Sequence, residues 1–187
     1  MSHAVEEQQA TPDDDLAIAR LVRLAAAVLL AGFSLYTALY GVMSDMIQRS
    51  IHLGLVLLII FLGALTSSSL SPARNTLERV IAVCLAVSGL VVMLYHVVFF
   101  DEIAYRFGEL TGPEFYLGIA ATLILLEATR RVIGWPIVIL AVGFLAYAYF
   151  GYLLPGEAGH RGYDVERIIS QLYLGGGGIF GTPLGVS

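Results

Sequence analysis

Apolar residues fill most of positions 24 to 154 in five stretches, and only short polar segments run between them. The first extends from Leu24 to Met43. The second, from Ile51 to Thr66, is the shortest, with Ser67 to Ser69 as an extension, and the third covers Val80 to Phe100. The fourth begins at Phe115 and ends against Glu127, Arg130 and Arg131. The fifth starts at Trp135, after a tight turn near Gly134, Trp135 and Pro136, and runs to Leu154, where Pro155 and Gly156 stop it. A helix needs roughly 20 apolar residues to cross ~30 Å of hydrocarbon, because without water each backbone amide must be bonded within the helix. The pattern therefore predicts an all-α, polytopic membrane helix bundle of about five transmembrane helices.

Beyond Pro155 the texture changes. Gly156, Gly159, His160, Arg161, Gly162 and Tyr163 form a loop, and Asp164 is placed to cap a short helix through Tyr173. Val165, Ile168, Ile169 and Leu172 fall on one stripe of it, with Glu166, Arg167, Ser170 and Gln171 mostly opposite. Such a short C-terminal amphipathic helix suits the membrane interface or a bracing role. The glycine run Gly175 to Gly178 lacks the Gly-Lys-Ser/Thr ending of a phosphate-binding loop, so it reads as flexible backbone beside a membrane segment. Ile179 to Val186 then opens what looks like another apolar run, which the chain does not complete.

Composition agrees with a bilayer as solvent: 58% of residues are hydrophobic and 13% charged, far from a soluble domain. All ten basic side chains are Arg, a bias that reads as codon usage. Their distribution orients the chain. With the N-terminus inside, the inner segments carry Arg20, Arg23, Arg74, Arg79, Arg130 and Arg131, and the outer ones carry Arg49, Arg106, Arg161 and Arg167. The outer loop between the third and fourth runs holds Asp101, Glu102, Glu109 and Glu114. Residues 1–19 form a polar, acidic tail, expected to be disordered and cytoplasmic, without the basic start of a signal peptide. The net charge of −5 and the absence of a basic patch argue against nucleic acid as a partner.

Candidate chemistry is sparse. Glu127 precedes Arg130 and Arg131 at the spacing where helix side chains meet, and the trio reads as a structural anchor at the interface. His96, late in the third run, has only Cys84 and Tyr95 as titratable neighbours in that run, so a hydrogen-bonded contact between helices is expected rather than a proton relay. His52 is expected at the interface, and Cys84 as a small packing residue. The aromatic residues of the fifth run, Tyr147, Tyr149, Phe150 and Tyr152 among them, crowd its outer end as an interfacial belt. No His-Glu-x-x-His, no Gly-x-Ser-x-Gly and no acid pair on one span appears, so the chain is expected not to be an enzyme, with no catalytic residue, cofactor or metal. A self-contained helical assembly or anchoring protein also fits the apolar runs, and an intramembrane enzyme fits them less well.

Several strings decide among these functions. Leu126-Glu127-Ala128-Thr129-Arg130-Arg131, the Gly134-Trp135 turn, His160-Arg161-Gly162-Tyr163 leading into Glu166-Arg167, and Gly178 through Ser187 resemble the fused membrane subunits of tripartite ATP-independent periplasmic (TRAP) transporters. The four-plus-twelve-helix branch, paired with TAXI-type receptors, is the nearest in look. The resemblance is densest over residues 123–187, and the preceding spans fit the small subunit by number and spacing only. It implies a bacterial or archaeal inner-membrane transporter for organic acids, driven by an ion gradient and fed by a periplasmic solute-binding receptor. Residues 20–134 would be the small-subunit-like four-helix region, and 135–187 the incomplete start of the large permease region. The re-entrant hairpins that carry substrate and ion would lie beyond residue 187, in a missing C-terminal region or a separate large permease subunit. A full fusion is several times longer, so a fragment, a truncated product or a split system is expected. The residues named as structural or interface positions are Glu127, Arg130, Arg131, Arg161 and Tyr163; no substrate or ion ligand is assigned.

Overall fold

A computed structural model describes residues 12–41, 44–65, 72–106, 109–156 and 159–181. These form helices α1 (Pro12–Tyr40), α2 (Asp45–Leu65), α3 (Pro72–Val98), α4 (Phe100–Tyr105), α5 (Gly112–Val132), α6 (Trp135–Phe150) and α7 (Val165–Tyr173), with a 3-10 turn at Gly151–Leu153 after α6. No strand occurs among the described residues. Four helices are long and apolar enough to cross a bilayer: Ala17–Tyr40, Asp45–Gly63, Thr76–Val98 and Trp135–Leu153. The chain is thus an all-α, multi-pass membrane bundle, as its apolar runs predict.

The remaining predicted crossing, α5, is a helix of 21 residues but is not among those four. Its uninterrupted apolar stretch, residues 115–126, lies between Glu114 at one end and Glu127, Arg130 and Arg131 at the other. Charge at both tips shortens the part that hydrocarbon can accept. In compensation α5 packs against four other helices, α2, α3, α6 and α7.

Consecutive helices run antiparallel, α1 against α2 and α2 most extensively against α3. Leu53, Leu57 and Phe61 of α2, Ala86 and Val92 of α3, and Ala121, Ile124 and Ala128 of α5 make the core, closed by Tyr173, Leu174 and Phe180. Small residues let the backbones approach. A Cβ on Gly118 of α5 would stand 2.5 Å from Ile169 Cγ2, so α7 seats directly on the α5 backbone. Elsewhere apolar side chains face outward, among them Leu24, Val28 and Leu35 of α1 and Ile139, Leu140 and Phe144 of α6. In a soluble protein such exposure would drive aggregation; in a bilayer it meets lipid.

Several boundaries move. Helix α1 starts at Pro12, so residues 12–19 of the expected disordered tail are helical, and residues 1–11 lie outside the described residues. Pro at a first helical position loses no needed hydrogen bond, and its fixed φ favours the turn. Helix α2 starts upstream, at Asp45, and the extension expected at Ser67 to Ser69 lies outside the described residues. Helix α4 arises within the expected outer loop. Cys84 is exposed on α3 rather than packed inside. Asp164 takes the N-cap position of α7 with extended backbone but makes no side-chain cap bond. The turn between α5 and α6 is as tight as expected, with Gly134 at φ +104°, a conformation other residues rarely adopt.

The glycine run is not loose backbone over its described part. It folds back on α7, with Ile179 N–H donating to Leu172 O at 2.7 Å and Gly175 N–H to Ser170 O at 3.1 Å. Glycine is needed there, since a Cβ on Gly178 would overlap the Leu172 carbonyl.

Candidate functional site

Antiparallel connection sorts the polar residues to two ends of the bundle. The end formed by the start of α3 and α6 and the close of α2 and α5 collects Glu127, Arg130, Arg131 and Trp135. Arg130 Nε and Nη2 donate to the two oxygens of Glu127 at 2.7 and 2.8 Å, and Arg131 Nε donates to Oε1 at 2.6 Å. Arg130 also lies over the Trp135 ring at 5.6 Å, and Arg131 over the Phe61 ring at 5.5 Å. One carboxylate therefore ties the last turn of α5 to α2 and to the start of α6. The Arg130 hydrogen bond, against the opposing effect of burial and with the help of Arg131, holds the Glu127 carboxyl down to about 2. Paired this way, the three groups form a clamp that leaves no free base or acid.

The opposite end is built around Glu114, whose side chain is wholly buried. Thr111 and Glu114 form a capping box at the start of α5, and the Thr111 N–H donates to Glu114 Oε2 at 2.8 Å. From the segment after α4, Arg106 Nη1 donates to Oε2 at 3.0 Å and Nη2 to Oε1 at 2.5 Å, while Tyr95 of α3 donates its hydroxyl proton to Oε1 at 3.3 Å. Burial pushes the carboxyl up, but the bonds from Arg106 and Thr111 outweigh it and its pKa falls below the usual carboxylate value. Arg106 in turn is pushed up by its bond to Glu114. The pair thus stays ionised, with the carboxylate buried and the guanidinium partly open to solvent.

Against this hub stands an aromatic cage. His96 is 1% exposed, stacks on Phe180 at 4.2 Å between ring centres, and meets the edge of Tyr173 at 5.2 Å. Among the described residues neither ring nitrogen of His96 nor the Tyr173 hydroxyl has a hydrogen-bond partner. The hydrogen-bonded helix contact expected for His96 is replaced by ring packing, because the elements nearest it contribute aromatic faces. Burial pushes the Tyr173 hydroxyl further up, so it stays protonated.

A third cluster fastens the loop after α6. Gly162 N–H donates to His160 Nδ1 at 3.0 Å, which leaves His160 Nε2 as the donor to the Tyr147 carbonyl at 3.1 Å. Gly151 allows this, as a Cβ there would overlap the imidazole. Tyr163 is half-exposed, with its ring 5.4 Å from His160 and 5.5 Å from the Arg167 guanidinium. Arg161 is exposed. Arg161 and Tyr163 therefore sit at the far end of α6 from Glu127, Arg130 and Arg131, and the five named residues form two groups.

Between α4, the residues around Glu109 and α7 opens a cleft of about 930 Å³, walled by Met46, Ile103, Glu109, Asp164, Glu166 and Arg167. Sequence reasoning missed Arg106, Glu114, Tyr173 and Phe180 as site residues. The Thr111-x-x-Glu114 spacing was the one local signal for Glu114; the rest meet only through tertiary packing. No family model, no curated protein and no solved structure matches this chain.

Proposed function

We propose that this chain is the non-catalytic scaffold part of a TRAP-type secondary transporter of the four-plus-twelve-helix fused type. In this reading residues 20–134 are the small-subunit-like region and residues 135–187 open the permease. It sits in a bacterial or archaeal inner membrane with its N-terminus in the cytoplasm and serves the ion-driven uptake of organic acids. The motif strings Leu126–Arg131, His160–Arg167 and Gly178–Ser187 carry the proposal; Thr182 to Ser187 lie outside the described residues.

The side-chain geometry supports a scaffold. Both glutamate clusters spend their charge on joining helices rather than on an open site, as a rigid platform requires. The acidic cleft and the exposed Arg161 and Tyr163 share one end of the bundle, the side assigned to the periplasm by the arginine distribution. That end is where a soluble solute receptor would dock, and the outward face of α6 is where further permease helices would pack.

Co-expression with the large-permease reading frame next to its gene, followed by affinity purification of this chain, tests the proposal. Retention of the permease at a fixed ratio is expected. A stable homo-oligomer that never retains a permease, or the absence of permease and receptor genes nearby, would overturn it in favour of a self-contained assembly.

A further inference from the structure

The strap Leu174–Gly181 is held to the bundle by three side chains, the first being Leu174, buried in the core where the strap leaves α7. Ile179 packs on the core cluster of α2, α3 and α5, and Phe180 stacks on His96. Its Ile179 N–H bonds back to Leu172 O of α7, and its Gly178 and Gly181 N–H groups bond to Gly175 O and Gly178 O within the strap.

Three features weaken this seat. The two nitrogens of His96 and the hydroxyl of Tyr173 are buried without partners among the described residues, whereas buried polar groups are ordinarily bonded. Beneath Ile179 and Phe180 lies a small void of about 10 Å³, lined by Leu53, Leu57 and Met93 among others, too apolar to hold a water usefully. Five of the strap's eight residues are glycine, so ordering it costs more backbone entropy than ordering a strap of other residues of the same length. Each of the three is relieved when the strap lifts. Opposing them are the burial of the Phe180 ring, which is 1% exposed, and of Leu174.

We propose that the strap is a releasable plug. It exchanges between the seated state, with Phe180 on His96, and a lifted state in which the His96 ring and the Tyr173 hydroxyl gain water and the strap is freed from α3. The plug rests on packing alone and stands or falls independently of the transporter reading. Its consequence is mechanical: the contact between the strap and α3 through the Phe180 ring lasts only while Phe180 is seated.

Amide hydrogen exchange on the full chain in lipid nanodiscs reads the lifting directly. In the unaltered protein the Ile179 and Gly181 amides are expected to exchange far faster than core amides such as Ala121, since they open without global unfolding. His96→Phe keeps a ring on Phe180 and removes both orphaned nitrogens, so these two amides should slow by at least about tenfold while Ala121 is unchanged. Tyr173→Phe, which deletes only the hydroxyl, should act in the same direction. Phe180→Ala should do the reverse and make His96 reactive toward diethyl pyrocarbonate, resolved from the other histidines by peptide mapping. Exchange of Ile179 as slow as Ala121 in the unaltered chain, or faster exchange in both His96→Phe and Tyr173→Phe, would overturn the plug.

Discussion

The two ends of the bundle hold the same chemical group, a glutamate between hydrogen-bond donors, in opposite surroundings. Glu114 is wholly buried and bonded to a guanidinium that arrives from another segment, to a backbone amide and to a phenol. Glu127 is a quarter exposed and paired with two arginines of its own helix, three and four residues on. The first arrangement joins separate segments and exists only in the folded chain. The second forms wherever α5 forms. Burial decides what each is worth: removing one partner of a buried pair strands a charge without water, whereas an exposed pair exchanges one set of solvating groups for another.

The largest effect is therefore expected at Arg106. Arg106→Gln leaves the Glu114 carboxylate buried with only Thr111 and Tyr95 as donors, and should cost about 3 kcal/mol, near the low end for a buried pair broken on one side. Thermal unfolding in detergent measures it. Adding Glu114→Gln to that variant removes the stranded charge and should recover part of the loss. If Arg106→Gln is no worse than Arg131→Gln, burial is not what separates the two ends.

A second variant asks whether the outer end is held by the hub or by the α5–α7 contact. Gly118→Val sets a branched side chain against Ile169 and Tyr173, where the backbone approach leaves no room. Overpacking of this kind typically costs about 1–3 kcal/mol. Loss of α7 protection with the hub amides unchanged would show that α7 docks separately; loss of both would show one cooperative unit.

What the sequence revealed follows the same division. The clamp was legible because Glu127, Arg130 and Arg131 sit at local helical spacing, and the long apolar runs were legible because a bilayer imposes length and composition together. Amphipathic α7 was legible from its stripe: Ile169 is buried and Ile168 and Leu172 partly so, whereas Val165 at the helix start is exposed and Tyr173, outside the stripe, is buried. The hub was not, because α4 lies inside a region whose apolar start, Phe99 and Phe100, blends into the third run, which hid the turn that returns Arg106 to Glu114. The cage was not legible either: His96, Tyr173 and Phe180 come from three segments whose meeting depends on the fold-back of a glycine run, and nothing local encodes that. The extent of α1 was misjudged for a different reason, since acidic composition outweighed the helix-starting signal of Pro12.

The smallest effect is expected at the clamp, and its pH dependence identifies it. Glu127→Gln should cost less than about 1 kcal/mol at neutral pH, because the carboxylate and Arg130 both reach solvent. The folded carboxyl titrates at about 2, below its ordinary value of 4.5, so the charged form is favoured by folding. A depressed pKa means the contribution is fully present above about 4.5 and disappears as pH falls through about 2. The difference in Tm between the unaltered chain and Glu127→Gln should thus be constant from pH 7 to about pH 5 and shrink below it. A difference that grows on acidification would mean Glu127 is protonated in the folded chain, and the two ends would then differ in charge as well as in burial.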